Sequence, residues 1–410
     1  MNSPYQTQGA SHRLSGIVLC AAAMVVSAPV VSAETLRWAR VGDALTLDPH
    51  SANEGPTSTL LHHIYETLVR RDTDGSLKPR LATEWYIDPK DPSTWVFKLR
   101  PGVKFHNGAD FTAEDVVASV TRVTSATSDF KGLHTSVASA TAADPLTVRI
   151  KMKGPSPLYV QNLTNFFIVD KGWIEANNAL APQDFKAGEE KYTVRNTNGT
   201  GPYTLVSRDP EVRTVLAVNS GHWDAPPKVT RIIYTPIKEA STRVAALLSG
   251  EVDFVQDVPV QDIDRLSKTA GVKVSTGAEN RTIFFGYDMT SDSLLSLPGP
   301  NPFKKPQVRE AMALALDRDA IRQVVMRGQS VPGAQNTPPF VNGYSKALDA
   351  YTRPDYQRAR ALLAEAGYSN GFTVNLNCPN DRYINDEAIC QAYVGMLGRI
   401  GIKANLISQS

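Results

Sequence analysis

The chain is poor in cysteine. Three occur in 410 residues, and Cys20 falls in an apolar N-terminal stretch, which excludes a small scaffold held by many disulfides. It also lacks an excess of either charge. Lys and Arg total 43 against 41 for Asp and Glu, a net charge of +2, so no one-signed field recruits nucleic acid or anionic lipid, and no nucleic-acid partner is expected. Beyond residue 33 no stretch is apolar and long enough to cross a bilayer. No unit repeats with a period of about 20 to 50 residues, which excludes solenoids and propellers. There is no Gly-x-x-x-x-Gly-Lys loop to cradle phosphate, and residues 199–203 lack the spacing of a dinucleotide fingerprint. His50, His106, His134 and His222 are scattered. The adjacent His62 and His63 point about 100° apart on a helix and cannot share one ion, so neither a metal nor a cofactor is expected.

What is present is 42% hydrophobic and 20% charged, ordinary globular composition with apolar material for more than one core. The length predicts two or three domains. The first 33 residues differ in kind: His12 and Arg13 precede an apolar run over 14–31 that ends in Val31-Ser32-Ala33. This reads as a secretory signal peptide cleaved before Glu34, and hence as periplasmic localisation. A membrane anchor is the alternative, weakened by Ala21, Ala22, Ala23, Ser27 and Pro29. Leu19 before Cys20 rules out a lipoprotein site. Cleavage leaves Cys378 and Cys390, twelve positions apart. In an oxidising compartment they close a loop worth roughly 3 kcal/mol, or remain as buried thiols; spacing leaves both open.

From Glu34 onward, short β-rich runs alternate with amphipathic helical patterns, the signature of an α/β fold. Strands are predicted over 36–41, 95–99, 146–152, 204–206, 214–218, 229–235, 252–255, 283–287, 372–377 and 403–407. Leu60, Leu61, Ile64 and Leu68 recur at helical spacing behind capping residues Thr57 and Ser58. Thr112 with Asp115 opens a helix carrying Val116, Val117, Val120 and Val123. Further helices are predicted over 241–248, from Pro306 through Ile321, and over 357–366 and 385–399. The chain stops after a predicted strand with no closing helix, which leads us to expect a second lobe left incomplete at its C-terminus.

Catalytic patterns are weak. Gly367-Tyr368-Ser369-Asn370-Gly371 matches the nucleophile elbow of serine hydrolases, but that elbow needs a strand entering and a helix leaving, and here a helix precedes and a strand follows. Gly367 reads better as a helix C-cap. The acidic pairs Asp88/Asp91, Glu114/Asp115 and Glu189/Glu190 sit among turn residues and polar helix faces, where carboxylates are simply solvated. No nucleophile, base and oxyanion hole assemble, and no catalytic residue is expected.

One resemblance spans residue 36 to the end. Val103-Lys104-Phe105-His106-Asn107-Gly108, followed by Phe111-Thr112-Ala113-Glu114-Asp115-Val116-Val117, is its hallmark, with Tyr65-Glu66-Thr67-Leu68 upstream. Asn198-Gly199-Thr200-Gly201-Pro202-Tyr203, Val308-Arg309-Glu310-Ala311 and residues 359–367 follow in the same order. In these blocks the chain resembles the extracytoplasmic solute-binding proteins of the peptide, opine and nickel class, which serve ATP-driven importers. The resemblance implies a two-lobed periplasmic binding protein of type II, a clam-shell with an inserted subdomain. Its parts would be a signal peptide (1–33), lobe I (34–71 and 197–289), the insert (72–196) and an incomplete lobe II (290–410). It implies no enzyme, but a monomer that captures a small peptide-like solute between lobes and hands it to a membrane permease. Capture of an opine, a sugar conjugate or another non-peptide solute is the alternative within the class. Presentation of bound solute to a sensor, or a secreted hydrolase using Ser369, are the alternatives outside it.

The same resemblance points to ligand-binding residues. Arg382 stands where dipeptide-binding relatives hold the ligand carboxylate, a task suited to the two parallel hydrogen bonds of a guanidinium. Those relatives have proline next, whereas Tyr383 follows here. Asn53, Glu54 and Gly55 lie in a loop that borders ligand in relatives, and Asn280 and Arg281 precede a strand leading to the hinge. Trp38, Trp85, Trp95 and Tyr234 sit in strand patterns or turns and read as core rather than as stacking platforms.

Overall fold

In the computed structural model, which describes residues 34–277, 279, 281–295, 299–339 and 341–409, the chain opens with β1 (Glu34–Arg40). The signal-peptide expectation and Asn280 lie outside the described residues. Helix α1 (Gly55–Leu61) follows, then β2 (Val69–Arg71) and β3 (Leu77–Pro79) as a hairpin. Glu54, not Thr57 or Ser58, caps α1: its carboxylate accepts from the Thr57 backbone N–H at 2.6 Å, and Pro56 occupies the first turn. The helix stops at Leu61, short of Ile64 and Leu68. The carbonyls of His63 and Ile64 turn instead to the N–H groups of Tyr203 (3.0 Å) and Gly201 (2.9 Å). Ile64 and Leu68 are fully buried all the same, so their apolarity reflects core packing rather than helical period.

β4 (Ala82–Ile87), β5 (Thr94–Leu99), β6 (Val137–Asp144) and β7 (Thr147–Met152) form an antiparallel sheet in the order β4-β5-β7-β6. Helix α2 (Ala113–Val123) covers it. Thr112 and Asp115 make the expected capping box, and Val116, Val120 and Val123 enter a core with Phe97, Val148 and Phe166. Each such side chain contributes about 1.5–3 kcal/mol by leaving water.

Two short helices, α3 (Lys171–Ala176) and α4 (Tyr192–Arg195), precede β8 (Tyr203–Asp209), β9 (Arg213–Val218) and β10 (Val229–Pro236). Helix α5 (Ala240–Leu248), β11 (Phe254–Val255) and α6 (Ile263–Ser267) come next. These strands and β1 make a sheet in the order β11-β1-β10-β9-β8, with β1 parallel to both β10 and β11. Its core holds Trp38, Leu60, Tyr65, Leu216 and Tyr234. Trp38, Trp95 and Tyr234 are all buried.

The predicted strand over 283–287 does not form. Phe285 and Tyr287 point inward in alternation, and Phe285 stacks on Tyr393 at 4.1 Å between ring centroids, but no described strand pairs with this backbone. The long helix predicted from Pro306 breaks as well. α7 (Pro306–Ala315) ends at the extended Leu316, and Asp317 caps a new turn, α8 (Arg318–Ala320), by accepting from the Ala320 N–H at 2.9 Å. α9 (Tyr356–Glu365), β12 (Phe372–Pro379), α10 (Asp386–Gly398) and β13 (Ile402–Gln409) complete the chain, with β12 and β13 parallel. Val308, Met312, Leu363, Val374, Tyr393 and Ile402 form the core here.

A buried polar joint ties the loop after β1 to the covering helix α2. Arg122 and Asp48 are both fully buried and form a two-pronged ion pair, with the second prong at 2.7 Å. Asp48 also accepts from Thr193 Oγ1 (2.6 Å), the Gln183 N–H (3.1 Å) and the His50 N–H (3.1 Å). Full satisfaction by hydrogen bonds is the condition under which a buried pair persists.

Candidate functional site

Parallel strands of two different sheets open onto one cavity. β1 ends at Arg40 and Val41 lines the cavity; β10 ends at Pro236 and Lys238 lines it. β11 ends at Val255 and β12 at Pro379, and Asp257 and Asp381 line it two residues later. Open α/β sheets hold ligands beyond the carboxyl ends of their strands. The volume, about 350 Å³, lies in the range of small-molecule sites.

The two walls already touch at the rim. A Cβ added to Gly42 would stand 3.3 Å from the Asp381 carbonyl oxygen, a tight contact, so a larger side chain would press these loops apart. Arg281 Nη1 donates to the Arg382 carbonyl at 3.4 Å. Lys238 and Asp381 lie 3.8 Å apart, but at 66% exposure the lysine is worth little as a tie. Beside them, Val260, Met326 and Ile389 form a small apolar cluster joined by Ile263, Tyr383 and Ile384.

Charges in the cavity mostly cancel. Arg40 holds Asp257 at 2.8 Å, and Glu279 holds Arg281 at 2.9 Å. Buried Arg243 donates to the carbonyls of Ile237 (2.6 Å) and Asp257 (2.9 Å), and burial lowers its pKa. Asp386, whose pKa is raised by burial, accepts the backbone N–H groups of Arg382 (2.9 Å), Tyr383 (3.4 Å) and Glu387 (2.9 Å). Asp257 and Asn385 adopt left-handed backbones, φ 59° and 56°, a conformation that non-glycine residues hold only when their surroundings enforce it.

The expected residues fall as follows. Arg382 is exposed, and its guanidinium has no hydrogen bond or ion pair among the described residues; Asp386 meets only its backbone. Tyr383 is half-buried, and burial raises its pKa. Glu54 caps α1; burial raises its pKa, against the opposing pull of its Thr57 hydrogen bonds and of Arg40 and Arg382. A Cβ on Gly55 would lie 3.4 Å from Arg281 Nη2, and Arg281 reaches the Arg382 carbonyl, so these three residues are brought together, though of the expected residues only Tyr383 lines the cavity itself. Asn53 is exposed with no side-chain partner among the described residues. Cys378 and Cys390 are joined in a disulfide, both buried. Ser369 sits between α9 and β12, a helix before it and a strand after, the reverse of a nucleophile elbow.

Reading from sequence missed Lys238, Arg243, Asp257, Asp381 and Asn385 as lining residues. No motif marks them. The signal available was position: Lys238, Asp257 and Asp381 each lie a few residues beyond the end of a predicted strand. A second cavity, also of about 350 Å³, is lined by His106, Asn107, Trp173 and Tyr192 among others and gathers none of the expected ligand-binding residues. We place the candidate site at the first, where two sheets converge.

Comparison with known proteins bears on this geometry. The model of the bacterial extracellular solute-binding proteins, family 5 Middle, matches residues 76–410. The glutathione-binding protein GsiB of Escherichia coli K12 is 28% identical over 403 residues, 97% of this chain and 74% of the relative. Among solved structures, the periplasmic binding protein DppA of Helicobacter pylori in complex with the peptide STSA superposes with a TM-score of 0.77 at 25% identity, covering 92% of this chain and 74% of that one. The binding protein AgaA from A. tumefacien R10 in complex with agropinic acid gives 0.76 at 27% identity, covering 92% and 73%.

Proposed function

This chain belongs to the bacterial extracellular solute-binding proteins of family 5, and from that premise we propose that it captures a short peptide or peptide-like solute in the cavity between its two lobes. As in the rest of the family, it is the binding component of an ATP-driven importer and has the type II periplasmic-binding-protein fold. One observation supports the peptide reading: Arg382 stands between the lining residues Asp381 and Tyr383, and its exposed guanidinium makes no hydrogen bond or ion pair among the described residues, while Arg40 and Asp257, and Glu279 and Arg281, are paired. A guanidinium next to that wall matches a carboxylate terminus. The reading includes export through residues 1–33, a monomeric working form, and lobes divided as the sequence suggests, with 72–196 inserted in the first. Ligand bound to both walls favours the closed form by its differential affinity, and closure is what the permease reads.

Titration calorimetry with di- to tetrapeptides tests this. Saturable heat is expected, weakened about 10- to 100-fold by Arg382→Ala, the loss of one charged hydrogen-bonding contact. No heat with any peptide would overturn it. The AgaA likeness keeps an opine as the second reading. Mass spectrometry of the solute released on denaturation separates the two.

A further inference from the structure

Nine of the residues lining the cavity come from position 380 onward, and eight of them, all but Gln391, lie between Cys378 and Cys390. The disulfide thus encloses nearly the whole second wall in one covalent ring, together with Arg382 at its edge. We infer that Cys378 and Cys390 are positioning residues for binding, and that the wall takes its binding shape only once they are oxidised.

Three features make the ring mechanically meaningful. Its ends are anchored in regular structure, Cys378 in β12 and Cys390 in α10, so the bond fixes where the strand leaves and where the helix begins. Between them the loop is held mainly by one carboxylate, Asp386, which collects three backbone N–H groups, and by the Asn385 side chain, which donates to the Val325 carbonyl at 2.7 Å. Asn385 must also keep a left-handed backbone, φ 56°, which a slack loop would relax. Closing a loop of this size removes disordered alternatives before the native contacts have to compete with them.

The sulfurs are buried, at 1% exposure for Cys378 and 3% for Cys390, so a thiol-bearing solute in the cavity does not reach them for exchange. Oxidation belongs to the outside of the cell, where this family works. There two thiols lose two protons and two electrons to a disulfide-bearing oxidant, which leaves as a dithiol, and one S–S bond forms. Before export, in a reducing cytoplasm, the wall stays slack and the protein does not sequester cytoplasmic solute.

The experiment compares the full chain, oxidised, with Cys378→Ser/Cys390→Ser and with wild type reduced by dithiothreitol. Hydrogen exchange of residues 380–388 is followed alongside titration with S-methylglutathione, a thiol-free tripeptide. Exchange is expected to accelerate about tenfold or more within the ring, with β1 and β5 unchanged, and affinity to fall by about tenfold or more. Ring amides as slow in the variant as in wild type, or an affinity changed less than about twofold, would overturn the inference. The affinity arm rests on the binding reading above. If wild type takes up no peptide, that reading fails while the exchange arm still decides the role of the disulfide.

Discussion

Asp48 keeps its charge with no solvent contact. Burial would raise its pKa, but the Arg122 guanidinium and hydrogen bonds from Arg122, Thr193 and the His50 N–H hold it down to about 2. The same surroundings, burial first and the Arg122 charge second, push His50 down to about 3, and burial alone brings His134 to about 4. Folding lowers all three values, and the sign follows. Asp48 contributes fully above its unfolded value near 3.9 and loses that contribution as pH falls toward 2. For the histidines, the unfolded chain takes up protons below about pH 6.5 and the native one does not, so stability falls as pH drops from there. Urea midpoints are expected to decline from pH 6.5 to 4, with a slope smaller by about one proton in His134→Phe. An equal slope in the two proteins would contradict this. None of it was legible beforehand: Arg122 is far in sequence from Asp48 and His50, the three belong to no motif, and only the fold brings Arg122 to the other two. Arg382 was singled out by the resemblance alone, and its part in binding is a proposal.

At the scale of elements, period and capping predicted α2, β5, β9, β10, β12 and α10 within a residue or two, because each is long and has a partner that agrees with its own pattern. The failures came where a tertiary contact overrode the local pattern. The helix through Ile64 ends early because segment 199–203 claims the carbonyls of His63 and Ile64. The strand over 283–287 has the alternation but no pairing partner, and the run from Pro306 breaks where Asp317 starts a fresh turn. The motif Asn198-Gly199-Thr200-Gly201 owes its glycines to the first of these contacts. A Cβ on Gly199 would overlap the Ile64 carbonyl, and one on Gly201 would come within 2.6 Å of it. Gly199→Ala is therefore expected to cost about 3 kcal/mol by forcing backbone apart. Thermal unfolding checks this, and an unchanged midpoint would show that the segment yields where the packing says it cannot.

For the whole molecule, the two-lobed architecture was legible through motifs spread along the chain, whereas the cavity was not. Its walls come from strand ends scattered between Val41 and Gln391, and single residues such as Lys238 carry no pattern. What unites them is the approach of two sheets. Gly42 is one point of close approach, where a Cβ would stand 3.3 Å from the Asp381 carbonyl oxygen. A large side chain there acts as a wedge that holds the lobes apart while leaving each core untouched. Small-angle scattering of wild type and Gly42→Trp, with and without a saturating peptide, is the most direct test of capture by closure. The radius of gyration is expected to fall on saturation in wild type and to stay at its unliganded value in the wedge variant. Identical curves for empty and saturated wild type, with the peptide shown to be bound, would contradict the account.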